Sequence, residues 1–161
     1  LESKSPDGSP HRAPLTSTQL KQLYGDHIWN TYYKFTFNRN PYDREVDFYH
    51  WFKTTPRGKE SNPSFKEFIK TEKINIVTQK ENNEEPLDFI GDFSNLQEDF
   101  NKVCDSLKID HITLPHLGKV EGSYPAVEDE YDEETRELVN TKYSEDLITY
   151  NYNFDSIKEK E

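Results

Sequence analysis

The clearest chemical signal in the sequence is Arg39, which stands in the stretch FNRNPYDR at residues 37–44. Tyr32–Asn38 (YYKFTFN) is dense in β-forming residues and predicts a strand, while Asn40 and Pro41 are typical of a helix start. An arginine at the carboxyl end of a strand, beside the free N–H groups of a helix start, can clamp a phosphate. A surface ion pair is the alternative interpretation of the same arginine.

The elements that must position this turn alternate between strands and helices, which predicts an α/β architecture with a parallel pair of strands. The expected strands are Tyr32–Asn38 and Leu87–Phe93. Spacing, caps and breakers predict helices at Thr16–Tyr24, Pro41–Lys53, Ser64–Lys70, from a Ser94 cap to Leu107, from Asp132 through Tyr143, and in a last turn from Ser144. Loops are expected at Thr54–Pro63, Thr78–Pro86 and 110–130.

Apolar residues at helical spacing predict which side chains form the core. These are Val46, Tyr49 and Phe52, then Phe65, Phe68 and Ile69, and the helix residues Leu96, Phe100, Val103 and Leu107. Cys104 lies beside Val103 and is expected to be a buried thiol. The aromatic residues Trp29, Trp51, Tyr32 and Tyr33 are expected in the core or in cleft walls, with adenine stacking as the alternative for one of them.

Composition and charge narrow the classes of function. The 161-residue chain has a net charge of −11, and residues 121–161 hold 13 acidic side chains against 4 basic ones. A surface of this sign repels phosphate backbones, so nucleic acid is not expected as a partner. The apolar runs fall short of the ~20 residues that a membrane span needs. The single Cys104 favours a reducing, cytoplasmic compartment, with the Golgi lumen as the alternative for a eukaryotic protein.

Lys34–Phe52 (KFTFNRNPYDREVDFYHWF) resembles the 3′-phosphate-binding segment of carbohydrate-type sulfotransferases, whose pattern is roughly K-F-x-F-V-R-N-P-x-D-R-x-x-S-x-Y. Leu87–Leu107 (LDFIGDFSNLQEDFNKVCDSL), Leu114–Lys119 (LPHLGK) and Tyr131–Phe154 resemble later segments of that family in the same order. The resemblance implies a parallel-sheet, P-loop NTPase-like fold over residues 16–154, between a leader (1–15) and a tail (155–161). It also implies 3′-phosphoadenosine-5′-phosphosulfate (PAPS) as sulfuryl donor and a carbohydrate hydroxyl as acceptor.

The same resemblance assigns roles to individual residues. Arg39 would bind the 3′-phosphate, Lys119 would contact the nucleotide, and His11 would take the proton of the acceptor hydroxyl. The other histidines that could serve as this base are His27, His50, His111 and His116. His111 and His116 have no third ligand nearby in the sequence, so no metal is expected.

Asp47 occupies the position at which the family has a serine that contributes a hydroxyl to the 3′-phosphate. Its carboxylate would repel a phosphate dianion. On a helix that starts at Pro41, the side chain leans back towards Arg39 and can form an ion pair with it. We therefore expect weak binding of the nucleotide by this chain, and tighter binding after Asp47→Ser.

Further departures from the family pattern leave two functions open. Ser94 and Gly118 replace a glutamate and an asparagine, and the sequence has no counterpart of the phosphate-cradling loop K-T-[AG]-[GS]-[ST]. The fold is therefore expected to be incomplete at its amino terminus. One hypothesis is a sulfotransferase whose missing loop is supplied by further residues upstream. The other is a non-catalytic relative with a structural or interaction role on the same scaffold.

Overall fold

A computed structural model describes residues 15–71, 85–115 and 126–157. His11 and Lys119 lie outside these ranges, as do His116, Gly118 and residues 78–84 of one predicted loop. The chain divides into two units, one comprising Leu1–Thr36 and Ile74–Phe89 and the other Phe37–Lys73 and Ile90–Glu161.

The described elements alternate as the sequence predicts. The helices are α1 (Ser17–Thr31), α2 (Pro41–Thr54), α3 (Pro56–Ser61), α4 (Phe65–Thr71), α5 (Leu96–Leu107), α6 (Glu133–Lys142) and α7 (Ser144–Thr149). The strands are β1 (Phe35–Asn38) and β2 (Phe89–Asp92). The two strands pair in parallel as a two-stranded sheet, which confirms the predicted parallel pair. Short 3₁₀ turns lie at Phe93–Asn95, Val127–Glu130 and Phe154–Ser156.

Helix α1 of the first unit contains a break at the predicted stop. Gly25 has φ 82° and ψ 164°, a conformation open to glycine but strained for other residues. The chain resumes helical geometry beyond it and continues to Thr31, so the helical region is longer than expected. Trp29 is buried as predicted, whereas Tyr32 is 67% exposed and lines no core.

The core of the second unit lies between α2 and α4. The predicted inward residues of both helices, Val46, Tyr49, Phe52, Phe65, Phe68 and Ile69, are all buried. Tyr49 contacts the rings of both Phe65 and Phe68. Cys104 on α5 is fully buried, which confirms the predicted core thiol. Trp51, in contrast, is 56% exposed and stacks on Phe48 at the surface.

The predicted core position of Leu107 at the end of α5 is wrong, because this residue is 43% exposed. Two predictions about helix starts and loops are also wrong. The predicted loop at Thr54–Pro63 contains α3, because Pro56 starts the helix and the Thr55 hydroxyl accepts a hydrogen bond from the Gly58 N–H at 3.1 Å. Ser94 does not cap α5. Instead, Asp92 Oδ1 accepts from the Ser94 N–H at 2.7 Å and starts the 3₁₀ turn that precedes the helix.

The predicted start of α6 is confirmed. Asp132 caps the helix by accepting a hydrogen bond from the Thr135 N–H at 2.7 Å, and the Thr135 hydroxyl accepts from the Asp132 N–H in return. Among the helices of the described ranges, none combines the length and the apolarity needed to cross a membrane.

Candidate anion site at the turn after β1

Arg39 lies in the two-residue turn between the end of β1 and the start of α2. The sequence predicts Arg39 between the end of a strand and the start of a helix. The structure confirms this position, and only 17% of the side chain is exposed. The guanidinium carbon lies 4.5 Å from the ring centre of Phe93, the residue that directly follows β2. Residues at the carboxyl ends of both strands therefore contribute to one site.

Two carboxylates of α2 hold the guanidinium of Arg39. Its Nε donates a hydrogen bond to Asp43 Oδ2, and its Nη2 lies 2.5 Å from Asp47 Oδ2. The predicted ion pair between Arg39 and Asp47 is confirmed. Asp43 is a second partner that was not predicted, although its spacing of four residues from Arg39 was a usable signal. Burial alone would lower the pKa of the Arg39 guanidinium, but the hydrogen bonds and charges of both aspartates outweigh it and raise that pKa.

The backbone at the start of α2 offers fewer donors than expected. Pro41 has no N–H, and the Tyr42 N–H donates to Asn40 Oδ1 at 3.1 Å. The expectation of free N–H groups is therefore wrong for the first two helical residues, because the N-cap itself uses the available donor. An anion at this turn would depend on the side chain of Arg39.

Residues 152–156, which we call the C-terminal strap, bind near the ends of both strands. After β1, the Asn40 Nδ2 donates to the Asn153 carbonyl at 2.9 Å and to the Ser156 hydroxyl at 3.2 Å. At the end of β2, the Tyr152 hydroxyl donates to Asp92 Oδ2 at 3.2 Å. Burial, followed by the charge of Asp92, raises the pKa of Tyr152. The strap therefore holds the region that surrounds Arg39.

A buried ionic cluster joins α2 to the end of α6 and to Tyr143, the residue between α6 and α7. Glu45 is fully buried, accepts a hydrogen bond from the Tyr143 hydroxyl, and lies 3.1 Å from Lys142 Nζ. Arg44 lies over the Tyr143 ring at 4.9 Å. The sequence carries no signal for this cluster, because a charged residue on a helix normally indicates a solvent-facing position.

Two of the histidines in the described ranges, His50 and His111, lie beside a carboxylate, and the third, His27, is exposed to solvent. His50 Nε2 lies 2.9 Å from Glu130 Oε1, with both side chains mostly buried. His111 Nε2 lies 2.8 Å from Asp105 Oδ1 at an exposed position, and His27 on α1 is exposed. The part of the chain that the structure describes holds no group of three or more His, Cys, Asp or Glu side chains arranged to bind a metal ion.

Ligands of open α/β proteins bind at the carboxyl ends of the strands, which is where Arg39 lies. The family model described as "Sulfotransferase family" matches residues 4–153, and the chain belongs to that family. An uncharacterized protein of Archaeoglobus fulgidus is 33% identical over 96 residues, which cover 55% of this chain and 78% of that protein. No solved structure matches the chain.

Members of this family typically use PAPS, and Arg39 is the side chain of this turn that could hold its 3′-phosphate. Arg39 supplies the cation, and Asp43 holds its Nε. The carboxylate of Asp47 does not fit beside a phosphate, because both would compete for Nη2 of the same guanidinium. A phosphate that used both Nε and Nη2 would have to displace a carboxylate from Arg39.

Proposed function

We propose that the protein transfers a sulfuryl group from PAPS to a hydroxyl group, with a carbohydrate as the acceptor class. The observation that carries this proposal is the position of Arg39 at the carboxyl end of β1 in a chain of the sulfotransferase family. Arg39 is the residue that would hold the 3′-phosphate of the donor. His11 and Lys119 remain the proposed acceptor base and nucleotide contact.

The proposed acceptor agrees with the charge of the chain. With a net charge of −11, the surface repels polyanionic acceptors, so a neutral carbohydrate hydroxyl is a better substrate than a sulfated or phosphorylated polymer. The same negative charge also repels the anionic donor PAPS, so donor binding requires a positively charged side chain at the site. The mostly buried Arg39 provides that cation.

A transfer assay tests the proposed function. The full-length protein is incubated with PAPS that carries a labelled sulfuryl group and with a panel of neutral oligosaccharides, and incorporation of label is measured. Arg39→Ala should lower incorporation by about 10- to 100-fold, the usual effect of losing a charged hydrogen bond. Arg57→Ala on α3 is the matched control and should keep the wild-type rate. No incorporation on any acceptor, or incorporation that is insensitive to Arg39→Ala, would contradict the proposal.

A second candidate function is a non-catalytic structural or interaction role on the same scaffold. The ion pair between Arg39 and Asp47 favours it, because it neutralises the cation that a donor requires. Under this alternative, adenosine 3′,5′-bisphosphate should bind to neither the wild-type protein nor Asp47→Ser. Calorimetry on both proteins separates the two candidates.

A further inference from the structure

The two carboxylates on Arg39 divide one edge of its guanidinium. Nε and Nη2 form the edge with which an arginine donates two parallel hydrogen bonds to a single carboxylate or phosphate. Here Asp43 accepts from Nε, while Asp47 lies 2.5 Å from Nη2. One face of the guanidinium is covered by Phe93 at 4.5 Å. An incoming anion that uses this edge must therefore replace one of the two aspartates.

The two aspartates differ in how firmly the fold holds them. The Asp43 side chain is 16% exposed and lies in the first turn of α2. The Asp47 side chain is 41% exposed and lies one turn further along the helix. Rotation about its first side-chain bond can turn the half-exposed Asp47 carboxylate from Arg39 towards water, to which Asp43 has less access. Asp47 is therefore the exchangeable partner, and Asp43 the fixed one.

Repulsion between like charges favours replacement of Asp47 by an incoming phosphate. The ion pairs of Arg39 join one cation to two carboxylates, so a phosphate dianion that approached with both in place would meet like charges. The low exposure of Arg39 weakens the screening of this repulsion by water. Removal of Asp47 leaves the guanidinium with one carboxylate and frees Nη2 to donate to the anion.

We propose that Asp47 is an internal counter-ion that occupies the phosphate position on Arg39, so that nucleotide binding and the Arg39–Asp47 ion pair exclude each other. The inference rests on the proposed function, because it takes the Arg39 turn as the 3′-phosphate site. It adds that the chain holds this site closed in the absence of nucleotide. The affinity for the nucleotide is then set by how readily Asp47 leaves.

Equilibrium binding tests the exchange. Adenosine 3′,5′-bisphosphate is titrated calorimetrically into the full-length wild-type protein and Asp47→Ser, and adenosine 5′-phosphate serves as the probe without a 3′-phosphate. Asp47→Ser should bind the bisphosphate about tenfold more tightly or better, because a like-charge contact is removed. Its affinity for adenosine 5′-phosphate should not change. Addition of Arg39→Ala to Asp47→Ser should abolish the gain.

One control variant and one alternative substitution make the test specific. Asp105→Ser removes the same charge from an exposed position on α5, where the side chain is 70% exposed, and should leave both affinities unchanged. Asp47→Asn keeps the shape of the side chain without its charge and should also bind the bisphosphate more tightly. Asp47→Asn replaces Asp47→Ser in the binding experiment if thermal unfolding shows that Asp47→Ser does not fold.

The outcomes distinguish this inference from the proposed function. Equal affinity of the wild-type protein and both Asp47 variants, with a loss on Arg39→Ala, would overturn the counter-ion role and leave the phosphate site in place. A gain that Asp105→Ser reproduces would reduce the effect to net charge and would also overturn it. If no variant binds the bisphosphate and the transfer assay is negative, the proposed function fails and this inference fails with it.

Discussion

The side-chain amide of Asn40 joins the turn after β1 to a residue 113 positions away, by donating a hydrogen bond to the Asn153 carbonyl at 2.9 Å. The same side chain caps α2, since its Oδ1 accepts from the Tyr42 N–H at 3.1 Å. One buried residue therefore starts the helix that carries Asp43 and Asp47 and anchors the C-terminal strap. The geometry of the Arg39 turn depends on both bonds.

Asn40→Asp separates these two functions of the side chain. Aspartate caps a helix as well as asparagine does, so the start of α2 should remain. The substitution removes the donor to Asn153 and Ser156 and brings a carboxylate against a carbonyl oxygen. The free energy of unfolding should fall by about 1–3 kcal/mol, the cost of leaving buried polar groups unpaired, as measured by urea denaturation.

Asn101→Asp is the matched control for this substitution. Asn101 on α5 accepts a hydrogen bond from Gln97 through Oδ1 at 2.9 Å, and an aspartate keeps that acceptor. The free energy of unfolding should change by less than about 0.5 kcal/mol. Equal losses at positions 40 and 101 would show that the bond from Asn40 to the strap contributes nothing.

Tyr152→Phe tests the second anchor of the strap. The change keeps the ring and removes the hydroxyl that donates to Asp92 at 3.2 Å. Asp92 retains its other role, because Oδ1 still accepts from the Ser94 N–H. We expect a loss of about 1 kcal/mol in the free energy of unfolding, with faster amide exchange in residues 152–157. Tyr150→Phe should change neither quantity, and an equal effect there would contradict the anchoring role.

The burial of two tyrosine hydroxyl groups predicts that the protein loses stability at alkaline pH. Burial, followed by the charge of Glu45, raises the pKa of both Tyr131 and Tyr143 above the ordinary value. In the unfolded chain these groups lose their protons near pH ~10, while in the folded protein they keep them. The unfolded state then binds fewer protons, so the free energy of unfolding falls as the pH rises above that value.

The slope of this alkaline loss can be measured and assigned. Each buried phenol contributes up to about 1.4 kcal/mol per pH unit above the unfolded pKa, and nothing well below it. Urea denaturation between about pH 8 and 11 should show a flat region followed by a decline. Tyr143→Phe removes one titrating group and should make the decline less steep, although it lowers stability at neutral pH by removing a donor to Glu45. An unchanged slope would show that Tyr143 ionises in the folded protein.

Gly58→Ala should destabilise the junction between α2 and α3. A Cβ atom at this position would lie 2.0 Å from the Phe52 carbonyl oxygen, so the backbone of one helix must move. The free energy of unfolding should fall by about 1–3 kcal/mol or more, the usual cost of overpacking. Lys59→Ala, an exposed position on the same helix, should stay within about 0.5 kcal/mol of the wild-type protein. A neutral Gly58→Ala would show that α3 adapts without strain.

Short-range patterns predicted the main elements and part of the candidate site. The dipeptide Asn40-Pro41 predicted the start of α2, and the spacing of Val46, Tyr49 and Phe52 predicted its buried face. The ion pair between Arg39 and Asp47 was predicted from the family position of Arg39 and the place of Asp47 on a helix that starts at Pro41. Each of these depends on residues a few positions apart, so the local sequence contains the information.

Other features depend on distant residues and could not be predicted in this way. Glu45 is a residue type that normally lies at the surface. It is buried here, where the hydroxyl of Tyr143, 98 residues later, donates a hydrogen bond to it. Ser94 was predicted to cap α5, but a 3₁₀ turn capped by Asp92 precedes the helix instead. Both residues are good caps, so capping propensity does not decide between them. Asp92 also accepts from Tyr152, a contact across 60 positions.

The sequence by itself therefore determined the family, the order of the elements and the placement of Arg39 in a turn that Asp47 can reach. Only the tertiary structure decided that Asp43 shares the guanidinium, that Phe93 covers it, and that the C-terminal strap holds Asn40. The physical reason is that periodicity and capping act within one or two helical turns. Contacts between distant segments instead depend on which surfaces the folded chain brings together, and a single sequence does not record that choice.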